Sequence, residues 1–195
     1  MIVDAHAHIF HRQMPLIDDP RHQPLYDFYL EDYLHQLDSN GVDYGVIAAA
    51  SPWGDFNEYT LQSVSMSSRL RGTVILHPGK HYDFAAMKAQ GIVGVRLPFI
   101  GLKDLPNLGS TEYQRLFRNI ADQNWHVHLH VEGRHIPDLI SVLETAGPRI
   151  VIDHLGRPAP HEGIDAPAFK AIVSSAKRGH SWIKASCAYR IGTRA

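Results

Sequence analysis

The chain has 195 residues, 44% of them hydrophobic, and a formal net charge of −1 with its histidines neutral. That length supports one domain with a sizeable core; the balanced charge argues against a polyanion-binding surface, and no apolar run reaches the length of a membrane span. One cysteine, Cys187, excludes an intrachain disulfide, and no basic segment followed by an apolar one opens the sequence. The expectation is a cytoplasmic protein with one domain over residues 1–195 and neither nucleic-acid nor membrane partners.

The first predicted strand, 2–6, runs into "VDAHAHIF". His6 and His8 lie two apart on extended chain, so both imidazoles project to one face. Two such rings can share a metal at about 2.0–2.1 Å or clamp a carbonyl. In "LEDYLHQLDSNG", Leu30, Tyr33, Leu34 and Leu37 form one helical stripe, and Gly41 is the stop. A second strand, 44–49, leads into "AAASPWGDFN", where Ser51 and Asn57 are candidates to bond a substrate or cap the next helix. A third strand, 72–77, ends at His77. The fourth, 92–97, ends in "GVRLPF", and the Arg96 guanidinium there suits a carboxylate, to which it offers two parallel hydrogen bonds.

"STEYQRLFRNIADQN" opens on Ser110 or Thr111 as a cap and places Tyr113, Leu116, Phe117 and Ile120 on one stripe. The fifth strand, 126–131, reads "WHVHLHVEG" with its flanks. Its parity puts His126, His128, His130 and Glu132 on one face, with His130 and Glu132 nearest the C-terminal mouth and His126 in a structural role. The sixth, 149–154, ends in "VIDHLGRP". Strict alternation turns His154 toward the interior and Asp153 away from it. A helix over "DAPAFKAIVSSAKRG" has Pro167 in its first turn. The seventh strand, 181–186, ends in "ASCAYR", with Tyr189 and Arg190 as a second anion contact.

Strands alternating with amphipathic helices predict parallel βαβ units. The first strand–helix junction has no glycine-rich phosphate loop, which counts against an open nucleotide-binding sheet. Polar residues gather at strand C-terminal ends, where barrels build active sites. The predicted fold is therefore a TIM-like (β/α)8 barrel. Seven strands are found, so the barrel is expected to be incomplete, lacking its eighth strand, and the chain to be a fragment that self-associates through an open barrel edge.

Taken in order, "VDAHAHIF", "ASPWGDFN", "GVRLPF", "WHVHLHVEG", "VIDHLGRP" and "WIKASCAYR" resemble the amidohydrolase superfamily, and within it the 2-pyrone-4,6-dicarboxylate lactonase group. The resemblance implies hydrolysis of a carboxylated cyclic ester. His6, His8 and His154 would be the catalytic set, holding one divalent metal such as Zn2+ or acting without one. Arg96 and Arg190 would grip substrate carboxylates, with Ser51 and His130 facing the substrate. The lactonase group carries a tyrosine in place of His130 and a second arginine shortly after the first, where this chain has only Lys103 nearby. The superfamily's general base is an aspartate ending strand eight, which this sequence does not supply. Arg96 stands where binuclear members carry a bridging lysine, so two metals are not expected. Two further readings compete: a non-oxidative decarboxylase of an aromatic acid, and an inactive fragment that binds a ligand or partner.

Overall fold

The computed structural model describes residues 1–159, 161–187 and 189. It divides into two compact units, Met1–Arg96 and Leu97–Ala195.

In the first unit β1 (Val3–Ala7), β2 (Tyr44–Ile47), β3 (Leu70–Val74) and β4 (Ile92–Pro98, which runs across the unit boundary) pair in parallel, each with the next in sequence. Between them lie α1 (Leu30–Ser39), α2 (Glu58–Ser65) and α3 (Phe84–Gln90). The predicted stripe of α1 is buried at Leu30, Tyr33 and Leu37, and Gly41 stops the chain's helical course at φ +63°. Asp83 caps α3 by accepting from the Ala86 N–H at 2.8 Å. The core under these helices is Ile47, Val64, Leu70, Val74, Ile92 and Val95, each at most 3% exposed. Burial of such side chains contributes about 1.5–3 kcal/mol apiece. A smaller cluster of Phe10, Met14 and Trp53 anchors the long segment between β1 and α1.

One irregularity in β1 sets the direction of its histidines. The β1–β2 register slips by one residue between Asp4 and Ala7. A bulge of this kind reverses which side chains face which way. Before it, Asp4 accepts a hydrogen bond from the Tyr33 hydroxyl of α1 at 3.0 Å. After it, Ala7 stands beside Ile47, and His6 and His8 take the opposite face. Burial and the Asp4 carboxylate push the Tyr33 hydroxyl well above its ordinary pKa, so it stays a donor. Gly45 makes this packing possible, because a Cβ there would sit 2.4 Å from Tyr33 Oη. Gly45→Ala is expected to cost about 1–3 kcal/mol by overpacking. Urea denaturation checks this, and an unchanged midpoint would refute it.

The second unit holds β5 (His126–His130), β6 (Arg149–Ile152) and β7 (Ser181–Ile183), again parallel. Its helices are α4 (Thr111–Asp122), α5 (Ile136–Ala146) and α6 (Pro167–Lys177), packed on β5, β6 and β7 respectively. Ser110 caps α4 as expected, and Pro167 opens α6. The apolar strand face, with Val127, Leu129, Ile150 and Ile152, is fully buried with Phe117, Ile120, Leu139 and Leu143 of the helices.

Most predicted strands run past the observed ends. The sixth stops at Ile152 and the seventh at Ile183, so Asp153, His154 and Ser186 lie in the turns beyond. Among the described residues, no helix is long and apolar enough to cross a membrane.

Candidate active site

In the first unit the two predicted imidazoles come together. His6 Nε2 lies 3.2 Å from His8 Nε2, with the rings edge to face at 4.8 Å. His8 Nδ1 lies 2.7 Å from the Ala48 carbonyl. A carbonyl only accepts, so the proton of His8 is on Nδ1 and its Nε2 presents a lone pair. This is how metal-binding imidazoles are commonly oriented. Two nitrogens bound tetrahedrally at about 2.0–2.1 Å would be separated by about 3.3 Å, which the pair matches. The pair therefore fits as two of the ligands of one divalent ion.

The turn after β2 is built to be rigid. The Ala49 N–H donates to Thr73 Oγ1 at 3.2 Å, and the Ala49 carbonyl accepts from Arg96 Nη1 at 2.8 Å. Arg96 is only 2% exposed, so its charge depends on such partners. Ser51 begins a 3-10 turn, Ser51–Trp53, and is half-buried there. Asn57 stands at the N-cap position of α2 but makes no side-chain cap there. Its amide clamps the backbone of Ile75, donating to the carbonyl at 2.8 Å and accepting from the N–H at 3.0 Å. His77, the polar end of the third strand, is exposed and pairs at 3.6 Å with Asp55, whose carboxyl the Lys80 ammonium holds below its usual range.

The second unit corrects the parity reading of "VIDHLGRP". The strand register puts His126, His128 and His130 on the same face as Val151 and, continued past the strand end, Asp153. The other face, shared by Ile150 and Ile152, is the apolar one under the helices. Asp153 therefore does not turn away. Its Oδ1 accepts directly from His128 Nε2, and Lys184 Nζ lies 3.7 Å from the same oxygen and 3.1 Å from the imidazole. His128 and Asp153 are both almost wholly buried.

His154 reaches the histidine face by a different route. Its backbone is left-handed, φ +52°, which breaks the alternation. Its ring meets His130 edge to face at 5.3 Å, and its Nδ1 lies 2.9 Å from Ser186 Oγ. Glu132 holds a loop, accepting from the Gly101 N–H at 2.9 Å. Arg190 lies outside the described residues.

The profile of the amidohydrolase family matches residues 3–194. The chain belongs to the amidohydrolase family. It is 29% identical over 96% of its length to the 4-sulfomuconolactone hydrolase of Hydrogenophaga intermedia, and 26% over 97% to the 2-pyrone-4,6-dicarboxylate hydrolase of Comamonas testosteroni. It spans 63% of the length of each of these curated relatives. A crystal structure of a probable 2-pyrone-4,6-dicarboxylic acid hydrolase from Acinetobacter baumannii, with citric acid bound, superimposes with a TM-score of 0.90. The two share 32% identity over 98% of this chain and 72% of that one. The fold of this amidohydrolase chain is thus the α/β barrel class predicted, with seven strands among its described residues.

Three participants carry no decisive signal in the sequence: His128, whose position on β5 allows either role, Lys184 and Ser186. Lys184 and Ser186 follow β7 at alternate positions, the spacing that flags His6 and His8, but neither is a conspicuous metal ligand.

His126, the first of the β5 histidines, gives a pH signature. Burial first, then the charges of Lys184 and Arg149, lowers its pKa from 6.5 to about 4. The unfolded chain then binds more protons than the folded one between those values, so stability rises with pH there. We expect the urea midpoint to fall as pH drops from about 6.5 toward 4, and His126→Asn to flatten that slope. A variant with the wild-type slope would exclude His126 as its source.

Proposed function

We propose that this chain carries the ring-opening hydrolysis of a lactone bearing at least one anionic group. The observation that carries this reading is the His6–His8 pair, with its two Nε2 atoms 3.2 Å apart and His8 oriented by a carbonyl. The lactone-hydrolase names of the relatives supply the substrate class. His6 and His8 would hold one Zn2+, which supplies Lewis acidity toward a carbonyl or bound water. His154, the third proposed catalytic residue, presents its imidazole from the turn after β6. Arg96, fixed by Ala49, is proposed to bind the substrate anion, with Ser51 and His130 positioning the ring. Arg190 is proposed as a second anion contact on the sequence resemblance alone.

In the overall reaction, water oxygen adds to the ring carbonyl carbon, and the ring C–O bond breaks. The leaving oxygen takes one proton of the water, the other is released to solvent, and the product gains a carboxylate. The test is ring opening of 2-pyrone-4,6-dicarboxylate and 4-sulfomuconolactone, followed by ultraviolet absorbance and by mass of the product. The expected result is turnover of a carboxylated or sulfonated lactone that falls in Arg96→Ala and His154→Ala. Full rates in both variants would overturn the assignment of roles, and no turnover of any anionic lactone would overturn the function.

A further inference from the structure

We propose that Ser186 is the positioning residue of His154, fixing its imidazole through Nδ1 so that Nε2 is presented for reaction. The proposal rests on the catalytic role given to His154. Its starting point is backbone strain. His154, Leu155, Gly156 and Arg157 have φ of +52°, +56°, +77° and +44°, so four successive residues are left-handed and three of them carry side chains. A non-glycine residue is strained in this conformation, which persists only where its surroundings impose it.

Those surroundings can be named. The Leu155 N–H donates to the Lys184 carbonyl at 3.0 Å, and the Lys184 N–H donates to the Ile152 carbonyl at 2.9 Å. The Arg157 carbonyl accepts from the Gly133 N–H at 3.1 Å. Gly156 is required by contact as well as by φ, since a Cβ there would lie 2.5 Å from Ile172 Cδ1. The strained turn is therefore stitched to the chain that follows β7, and Ser186 sits two residues beyond Lys184 on that same segment. Its Oγ lies 2.9 Å from His154 Nδ1, while His130 buttresses the ring edge to face at 90°.

The anchor differs in kind from that of His8. A carbonyl accepts only and so fixes one tautomer. A hydroxyl both donates and accepts, so Ser186 fixes the direction of the His154 ring while serving either tautomer. Strain that brings an imidazole out of its strand's alternation and onto a hydroxyl has an evident use when that imidazole must aim at a reacting atom.

The experiment compares Ser186→Ala, Ser186→Thr and wild type on the best lactone substrate, with 15N NMR of the His154 ring alongside. Ser186→Ala is expected to lower kcat roughly 10–100-fold, as loss of an orienting partner does elsewhere, with KM little changed. Ser186→Thr, which keeps the hydroxyl, should recover most of the loss. The Nδ1 resonance of His154 should move in the alanine variant and return in the threonine variant. An unshifted resonance, an unchanged kcat in Ser186→Ala, or a threonine variant no better than alanine would each overturn the proposal. Should Ser186→Ala fail to fold, Ser186→Cys, nearly isosteric and a weak hydrogen-bonding group, carries the same comparison. If wild type opens no anionic lactone while the resonance shifts as expected, the contact stands and the lactonase reading falls.

Discussion

His8→Ala is expected to lower kcat for lactone opening by about 10²–10³-fold, the cost of removing one preorganised electrophilic group. His8 is the best-oriented ring of the first unit. Its Nδ1 is committed to the Ala48 carbonyl at 2.7 Å, so its Nε2 lone pair is aimed before any ligand arrives. Little reorganisation is then needed when a metal or carbonyl is engaged, and that preorganisation is what the variant discards. The same substitution should lower the zinc content of protein purified without chelators, because it removes one of the two Nε2 ligands of the proposed site. Both quantities are needed, kcat on the best substrate and metal per chain by elemental analysis. Retained rate together with retained metal would sink the assignment. Lost rate with no metal in either protein would reassign the pair to direct polarisation of the carbonyl.

Asp153→Ala is expected to act on stability as much as on turnover. The carboxylate is 2% exposed, accepts from the fully buried His128 and lies 3.7 Å from Lys184 Nζ. Deleting one partner of a buried charged cluster leaves the others desolvated without compensation, which costs about 3–5 kcal/mol. Against a total stability of about 5–15 kcal/mol, that is a large fraction. Asp153→Asn, which keeps the shape and one acceptor, should lose less. The exposed pair of Asp165 and Lys170, 3.1 Å apart, is the control, and breaking it should leave the urea midpoint where it was. If Asp153→Ala matched that control, the cluster would hold nothing together.

The family, the strand–helix alternation and the principal histidines are all readable from the residues, because each leaves a local mark. Ser110 before an amphipathic stripe reads as a cap, and it is one. His6 and His8 at alternate positions read as one face, and their Nε2 atoms are neighbours. The same logic misplaces Asp153, because it takes the face of Ile150 and Ile152 for the interior, whereas the register sets Asp153 with the β5 histidines. His154 does reach that face, but through a left-handed turn after the strand ends at Ile152 and not by alternation. Asn57 fails differently. An asparagine before a helix signals a cap, but here the carbonyl and N–H of Ile75 compete for its amide and win.

The sequence by itself determined what depends on neighbours along the chain: helix stripes, caps, the paired imidazoles and the order of motifs that marks the family. Only the tertiary structure decided what depends on register and on partners distant in sequence. A one-residue slip in β1 separates Asp4 from His6 and His8, and no local feature of "VDAHAHIF" announces it. Lys184 and Ser186 acquire their roles only where β7 lies beside β6, because hydrogen-bond partners are chosen in space, and period-two arithmetic is blind to a bulge or a left-handed turn.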